Sequence, residues 1–331
     1  MARRSNKEKR NMKLQILIPQ YKETEDVIKP LLDSIELQQS VDLKNDVGVI
    51  IVNDGTDVHL SREFLDKYTY RIDYYLHEHK GVSATRNACL DYAMADYVMF
   101  CDADDAFYNI CGLYIIFREI NNGGFDSLSS AFIEEVKNRT TGETAYVNHK
   151  TDSTFVHGKV HRRQFLIDRN IRWNEKLIVH EDSYFNVLCQ RLAMSVKYCN
   201  SSFYLWRWRA DSVCRSELQW TLKTYEHLIE SNAALVNELL RRGHKSDAQF
   251  YIATMLYNAY DMMNRPAWIN QEDTEHRILT ELRLKDYYLT FKNLYDIVDE
   301  DVKTKIAANI TNKMSRAISF EDWLHQIENY K

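Results

Sequence analysis

Three carboxylates follow the apolar run YVMFC with one alanine among them, as Asp102-Ala103-Asp104-Asp105. Oxygen ligands in such an array suit a hard divalent cation, and that cation can bridge two phosphates. The same array also suits a solvated acidic turn or a helix cap. A second acidic pair, Glu181-Asp182, sits in HEDSYFNV. An acid at a helix start complements the helix dipole, which accounts for one of the two more easily than for both. A carboxylate there can also take the proton from an attacking hydroxyl.

Further polar groups recur just after apolar segments. PQYKE places Tyr21 where its ring can stack on a nucleobase, or simply pack in a loop. NDGTD offers Asp54 as an acceptor for a base N–H, although Asp-Gly is equally a turn signal. In KGVSATRNACLDYA, Arg86 can fork onto a base or donor phosphates, or serve as a surface ion-pair member. His157 and His161 are four apart, but the alternation around them reads as extended, which disfavours a shared zinc. His77 and His79 read as ordinary residues of a strand end.

These side chains need a scaffold that gathers them. Lys13 to Pro19, Val47 to Asn53, Arg71 to His77 and Tyr97 to Cys101 read as strands, with VGVIIVN the clearest buried one. Helical spacing links them at Thr24 to Gln39, from Ser61 as a cap, and at Val82 to Ala95. The alternation predicts an α/β, Rossmann-like doubly wound, mostly parallel sheet, whose ligands lie beyond the carboxyl ends of its strands. A helix near Leu113 to Asn121, a hairpin turning at Asn138 to Gly142, a helix over Glu181 to Ala193 and two short strands, Val196 to Cys199 and Phe203 to Trp208, complete this part. From Leu218 onward the pattern is helical only. The expected organisation is a flexible basic tail (1–12), a catalytic domain (13–216) and an all-helical domain (217–331).

The bulk numbers restrict the function. A chain of 331 residues exceeds one comfortable core, and its hydrophobic (45%) and charged (27%) fractions are globular averages. The 21 tyrosines against 9 glycines and 3 prolines suggest long helices and surfaces that handle amphipathic ligands such as sugars and bases. A net charge of -5 argues against a broad nucleic-acid footprint. The basic start lacks the apolar stretch of a signal peptide, and no run spans a bilayer, so a cytoplasmic location is expected. The six cysteines show no metal-ligand spacing and read as reduced core residues. PQYKE is no glycine-rich phosphate loop, which argues against a nucleotidyltransferase. No G-x-G-x-x-G follows the first strand, which argues against a dinucleotide oxidoreductase.

Taken in order, ILIPQY, IIVNDGTD, KGVSATRNACLDYA, YVMFCDADD, HGKVHRRQFL and HEDSYFNV make the stretch from Lys13 to Ser216 resemble a family 2 glycosyltransferase of the GT-A fold. The resemblance implies a nucleoside site, usually for uridine, at Pro19, Tyr21, Glu23, Asp54 and Arg86. It implies Asp104 as the principal Mn2+ or Mg2+ ligand, Asp102 on the ribose or the ion, and Asp182 as the base of an inverting transfer. Lys159 and Arg207 or Arg209 correspond to positions that line the donor or diphosphate pocket. Lys22 departs from the asparagine common after the tyrosine. The Q-x-x-R-W signature and membrane helices of processive members are missing, so one sugar per event is expected.

The implied donor is a UDP-sugar, and the implied acceptor is a hydroxyl of a cell-surface glycan or teichoic acid type polymer. Other readings are a modified base of phage DNA, motivated by the basic tail with Arg162 and Arg163, and a non-catalytic nucleotide-sugar or carbohydrate-binding module. The C-terminal helices are left for acceptor binding, bracing or homo-oligomer formation.

Overall fold

The first strand, β1 (Leu14–Gln20), is buried on both faces, with Leu14, Ile16, Leu17 and Ile18 fully covered. Strands that lose solvent on both sides belong inside a parallel sheet flanked by helices. The structure, a computed structural model, describes residues 12–138, 140–210, 224–269, 274–310 and 318–330. The chain divides into two compact units, one ending at Ala210 and the other beginning at Asp211.

In the first unit, β1 pairs in parallel with β2 (Val47–Asp54) and β4 (Tyr97–Phe100), and β2 pairs in parallel with β3 (Arg71–His77). The order β3-β2-β1-β4 is half of a doubly wound sheet, and its strand ends deliver their loops to one edge. Beyond β4 the sheet turns mixed. The strand β8 (Lys159–Arg162) runs antiparallel to β4 and to β6 (Ser127–Lys137). β6 also carries β7 (Thr144–His149) as the other arm of the hairpin. β9 (Val196–Trp206) lies parallel to β6 and antiparallel to β5 (Ala106–Phe107).

Where two strands were expected at the end of this unit, β9 is one strand broken by an irregularity. Its register to β6 jumps from Cys199 opposite Ser130 to Tyr204 opposite Phe132. The polar residues Asn200 to Ser202 take up the slack, so the alternation lapses without ending the strand.

The helix α1 (Glu25–Glu36) runs through Pro30 and buries Ile28, Leu31, Leu32 and Ile35 against the sheet. Each such side chain contributes roughly 1.5–3 kcal/mol when fully covered. The helix predicted after Ser61 is a single turn, α3 (Arg62–Leu65), with the Ser61 hydroxyl accepting from Phe64 N at 3.1 Å. The helix α4 (Val82–Tyr92) packs on β1 and β2. Gln15, buried in β1, accepts from Met94 N (2.6 Å) and Ala95 N (2.8 Å) just past the end of α4. Cys111, expected in the core, is exposed at the turn that leads into α5 (Gly112–Asn121). Cys214 and the expected boundary at 216/217 lie outside the described residues, as does the tail through Asn11.

The second unit is helical in its described residues, with helices at Tyr225–Arg241, Lys245–Met263, Pro266–Ile269, Thr274–Asp296, Glu300–Ile310 and Phe320–Asn329. Its core includes Leu235, Leu239, Ile252, Leu256 and Trp323. Among the described residues no helix is long and apolar enough to cross a membrane.

Candidate active site

The loops after β1 and β2 are held by a buried polar network. Gln20 Nε2 donates to the carbonyls of Glu23 (2.8 Å) and Val58 (2.9 Å). Asn53 Nδ2 donates to Gln20 Oε1 at 3.0 Å, and its Oδ1 accepts from Thr56 N at 3.0 Å. Satisfied networks of this kind fix loop positions as firmly as packing does. From this base Pro19 ends near the rim and Tyr21 projects outward, 40% exposed. Glu23 folds back so that its Oε2 accepts from Tyr21 N at 2.8 Å.

Tyr21 lies on the ring of His79, with centroids 4.8 Å apart. His79 Nδ1 sits 2.9 Å from Asp54 Oδ2, and the same carboxylate accepts from Lys80 N (2.8 Å) and Gly81 N (3.1 Å). Gly55 makes this meeting possible: at φ 70° it adopts a left-handed turn, and a Cβ there would fall 2.2 Å from His79 N. Tyr21, Asp54 and Glu23 thus share one edge, joined by His79. The sequence offered no signal for His79 beyond its place two residues before Gly81.

Arg86 is buried in α4, and its guanidinium is taken up by two carboxylates. It donates to Asp102 Oδ1 at 2.8 Å and to Glu181 Oε1 at 2.7 Å, and it stacks over Trp173 at 4.5 Å. Burial alone would weaken its charge, but the two acids outweigh that and hold the proton above the ordinary arginine range. Arg86 therefore fastens the loop after β4 to the start of α7 (Glu181–Leu192). The carboxylate pairing is what the geometry gives this residue.

The acidic triplet divides into different environments. Asp104 is partly exposed, with Arg209 Nη1 3.4 Å from its Oδ2 and Arg207 Nη1 3.1 Å from its carbonyl. Burial, then the charges of Asp102 and Glu23, raise its carboxyl to about 6, while Arg209 works the other way. Asp105 is fully buried and accepts from Tyr204 OH (2.5 Å) and Arg207 N (2.9 Å). Burial, with the neighbouring aspartates, pushes it well above the carboxylate range. His157 Nδ1 lies 3.8 Å from Asp105, and donor atoms of Asp102, Asp105 and His157 fall within 4.8 Å of one another. Three acids crowd one strand-end loop, where Arg86 answers Asp102 and Arg209 answers Asp104, and the oxygen donors of the acids fit a hard divalent ion. Asp104 and Asp102 are the members with carboxylates open to solvent.

Asp182 stands in the first turn of α7, its Oδ1 accepting from Ser183 N at 2.7 Å. Burial first, then the adjacent Glu181 charge, raise its carboxyl to about 7, with Arg86 pulling the other way. The preceding residue, His180, holds φ 60°, a left-handed conformation that turns the chain into α7. Lys159 is buried, with Nζ 3.4 Å from Asp152 Oδ1 and from the carbonyl of His157. Burial lowers its proton affinity, and the Asp152 and Asp182 charges oppose that. His157 and His161 diverge: His157 packs on Tyr204, whereas His161 meets the edge of Phe185.

A doubly wound half-sheet carries an acidic loop beyond β4, and Arg86 joins that loop to the Glu181-Asp182 pair at the start of α7. Residues 15–185 match the model of "Glycosyl transferase family 2", and the chain belongs to that family. It is 25% identical over 287 residues to an uncharacterized glycosyltransferase, EpsJ, of Bacillus subtilis, covering 78% of this chain and 81% of that one. It is 28% identical over 257 residues to the glycosyltransferase GlyA of Streptococcus pneumoniae, covering 70% of this chain and 35% of that one. Among solved structures, S. aureus TarS 1–349 in complex with UDP-GlcNAc superposes with a TM-score of 0.67 at 18% identity, covering 96% of this chain and 91% of that one.

Proposed function

We propose that this glycosyltransferase moves a single sugar from a UDP-sugar to a hydroxyl acceptor with inversion, the acceptor being a cell-surface glycan or teichoic acid type polymer. The observation that carries the reading is the Arg86 bridge, which ties Asp102 and Glu181 to one guanidinium and so joins the start of α7 to the acidic loop. TarS, similar in fold, has been crystallised with UDP and UDP-GlcNAc, which supports a uridine donor here.

In this reading Tyr21 stacks on the base and Asp54 accepts from its N–H. Asp104 and Asp102 would hold Mn2+ or Mg2+, which when bound offsets the charge of the departing diphosphate. Arg209 and Arg207, beside Asp104, add positive charge there. The acceptor oxygen attacks the anomeric carbon from the face opposite the diphosphate. The carbon–oxygen bond to phosphate breaks with its electron pair leaving on the diphosphate, and the acceptor proton passes to Asp182. A carboxyl raised to about 7 is a stronger base than an ordinary aspartate and is still ionised in part at neutral pH.

The test is a panel of nucleotide-sugars incubated with the chain and Mn2+ or Mg2+, following release of the nucleoside diphosphate. Consumption of a UDP-sugar, lost on chelation of the ion, supports the reading. Failure to consume any nucleotide-sugar with either ion would overturn it.

A further inference from the structure

At the amino ends of β1 and β2 the first unit has a cleft of about 320 Å3. Its walls are the loop after α1, the single turn α2 (Leu43–Asp46) and one side of α5. Lys13 stands directly before β1 and Asp46 directly before β2. The loops that carry Tyr21, Asp54 and Asp104 follow the carboxyl ends of their strands. With seven residues in β1, at about 3.3 Å each, about 20 Å of strand separates the two ends. The volume suits a small ring ligand, since small-molecule clefts span roughly 300–1,000 Å3.

The walls are tied together. Gln39 N donates to the Ile110 carbonyl at 2.8 Å, and buried Gln38 donates to the Asn109 carbonyl (2.8 Å) and accepts from Leu113 N (2.8 Å). These bonds fix the loop after α1 to the start of α5. In α5, Tyr114, Phe117, Arg118 and Asn121 come at spacings of three and four, so they share one side of the helix. Tyr114 is 45% exposed and stacks on no other ring among the described residues. Asn121 and Asn122 are exposed at the end of this side, and their side-chain amides bond to no other described residue.

The charges on the walls balance. Lys13 and Arg118 stand against Asp42 and Asp46. Lys13 Nζ lies 2.9 Å from Asp46 Oδ2 and 5.3 Å over the Phe117 ring, and Arg118 Nη2 lies 3.0 Å from Glu119 Oε1. A charged ligand would meet like charge and lose water, whereas an uncharged one escapes both costs. Aromatic surface with a few amides at its margin suits a sugar ring, which offers C–H bonds on one face and hydroxyls around its rim.

We propose that this cleft is a second carbohydrate site, which takes one uncharged sugar ring on Tyr114 with its hydroxyls toward Asn121 and Asn122. The site stands on these residues alone. Its use rests on the transferase reading, in which a glycan held here as well as at the catalytic loops gains effective concentration near Asp182.

The experiment irradiates the full chain with diazirine-bearing methyl glycosides of glucose, galactose and N-acetylglucosamine and maps the label by mass spectrometry. Y114S removes the ring, Y114F keeps it, and N121A/N122A removes the amides, all at exposed positions. We expect one of the probes to label α5 and excess unlabelled glycoside to displace it. Y114S and the amide variant should lower that label about tenfold, and Y114F should keep it. KM for a polymeric glycan acceptor should rise in Y114S, with kcat and donor KM unchanged. Three results overturn the site: no label on α5, α5 label that Y114S leaves intact, or α5 label displaced by inorganic phosphate and not by glycoside. An unchanged KM for the polymer overturns its use in holding the acceptor. Because labelling needs no turnover, its failure is distinguishable from failure of the donor reading, which would show as no nucleotide-sugar consumed.

Discussion

At the scale of single residues, Asp182 makes the sharpest commitments. Removing a general base of this kind, as in D182N, should lower kcat by about 10²- to 10⁴-fold while UDP binding by calorimetry stays close to wild type. Normal turnover would exclude its role. Since the ionised form takes the proton, kcat/KM should fall as pH drops below about 7. Glu181 is a like charge that helps hold the Asp182 proton, so E181Q should move that acid limb to lower pH, and an unmoved limb would count against the coupling. The sign for stability is the reverse. A carboxyl raised from 3.8 to about 7 on folding favours the folded state at low pH, and that advantage disappears as pH rises through this window. In ion-free buffer D182N should therefore melt increasingly above wild type from pH 4 to 7 and then by a constant margin.

At the scale of elements, Arg86 binds α4, the loop after β4 and the start of α7 through one buried guanidinium. R86M leaves two acids without their cation and should cost about 3–5 kcal/mol in urea unfolding. R86K should recover part of the stability but not the fork that spans both acids. A loss within error of zero would mean the bridge does not join these elements. The sequence made β1, β2 and β4 readable because their apolar runs are local, and it exposed Glu181-Asp182 because two acids in apolar company stand out. It could not show that Arg86 faces acids 16 and 95 positions away. Nor could it show that Asp105 is buried under Tyr204, or that His79 joins Tyr21 to Asp54. Those facts depend on strand order and on which side chains lose water, neither of which is written in short-range periodicity. The mixed half of the sheet was similarly hidden, since the pairing of β6 with β8 and β9 joins distant segments.

At the scale of the whole molecule, ligand and ion should stabilise the fold together. Anything that binds only the folded state raises the melting temperature by mass action. UDP with Mn2+ should raise it more than the sum of either alone, because each brings charge the other neutralises. D104A should remove the synergy while leaving the melting temperature of the free protein near or above wild type, since the carboxyl of Asp104 is already disfavoured by burial. An undiminished synergy in D104A would place the ion elsewhere.

The left-handed backbone at His180 has a mechanical consequence. A residue with a Cβ resists that conformation by roughly 1–2 kcal/mol, and the joint it forms delivers the chain into α7 along a narrow range of directions. Its stiffness limits how far the two acids behind it can swing. H180G would relax the joint, and the wider arc should slow turnover; a variant as fast as wild type would show that the aim of α7 is secured by packing alone.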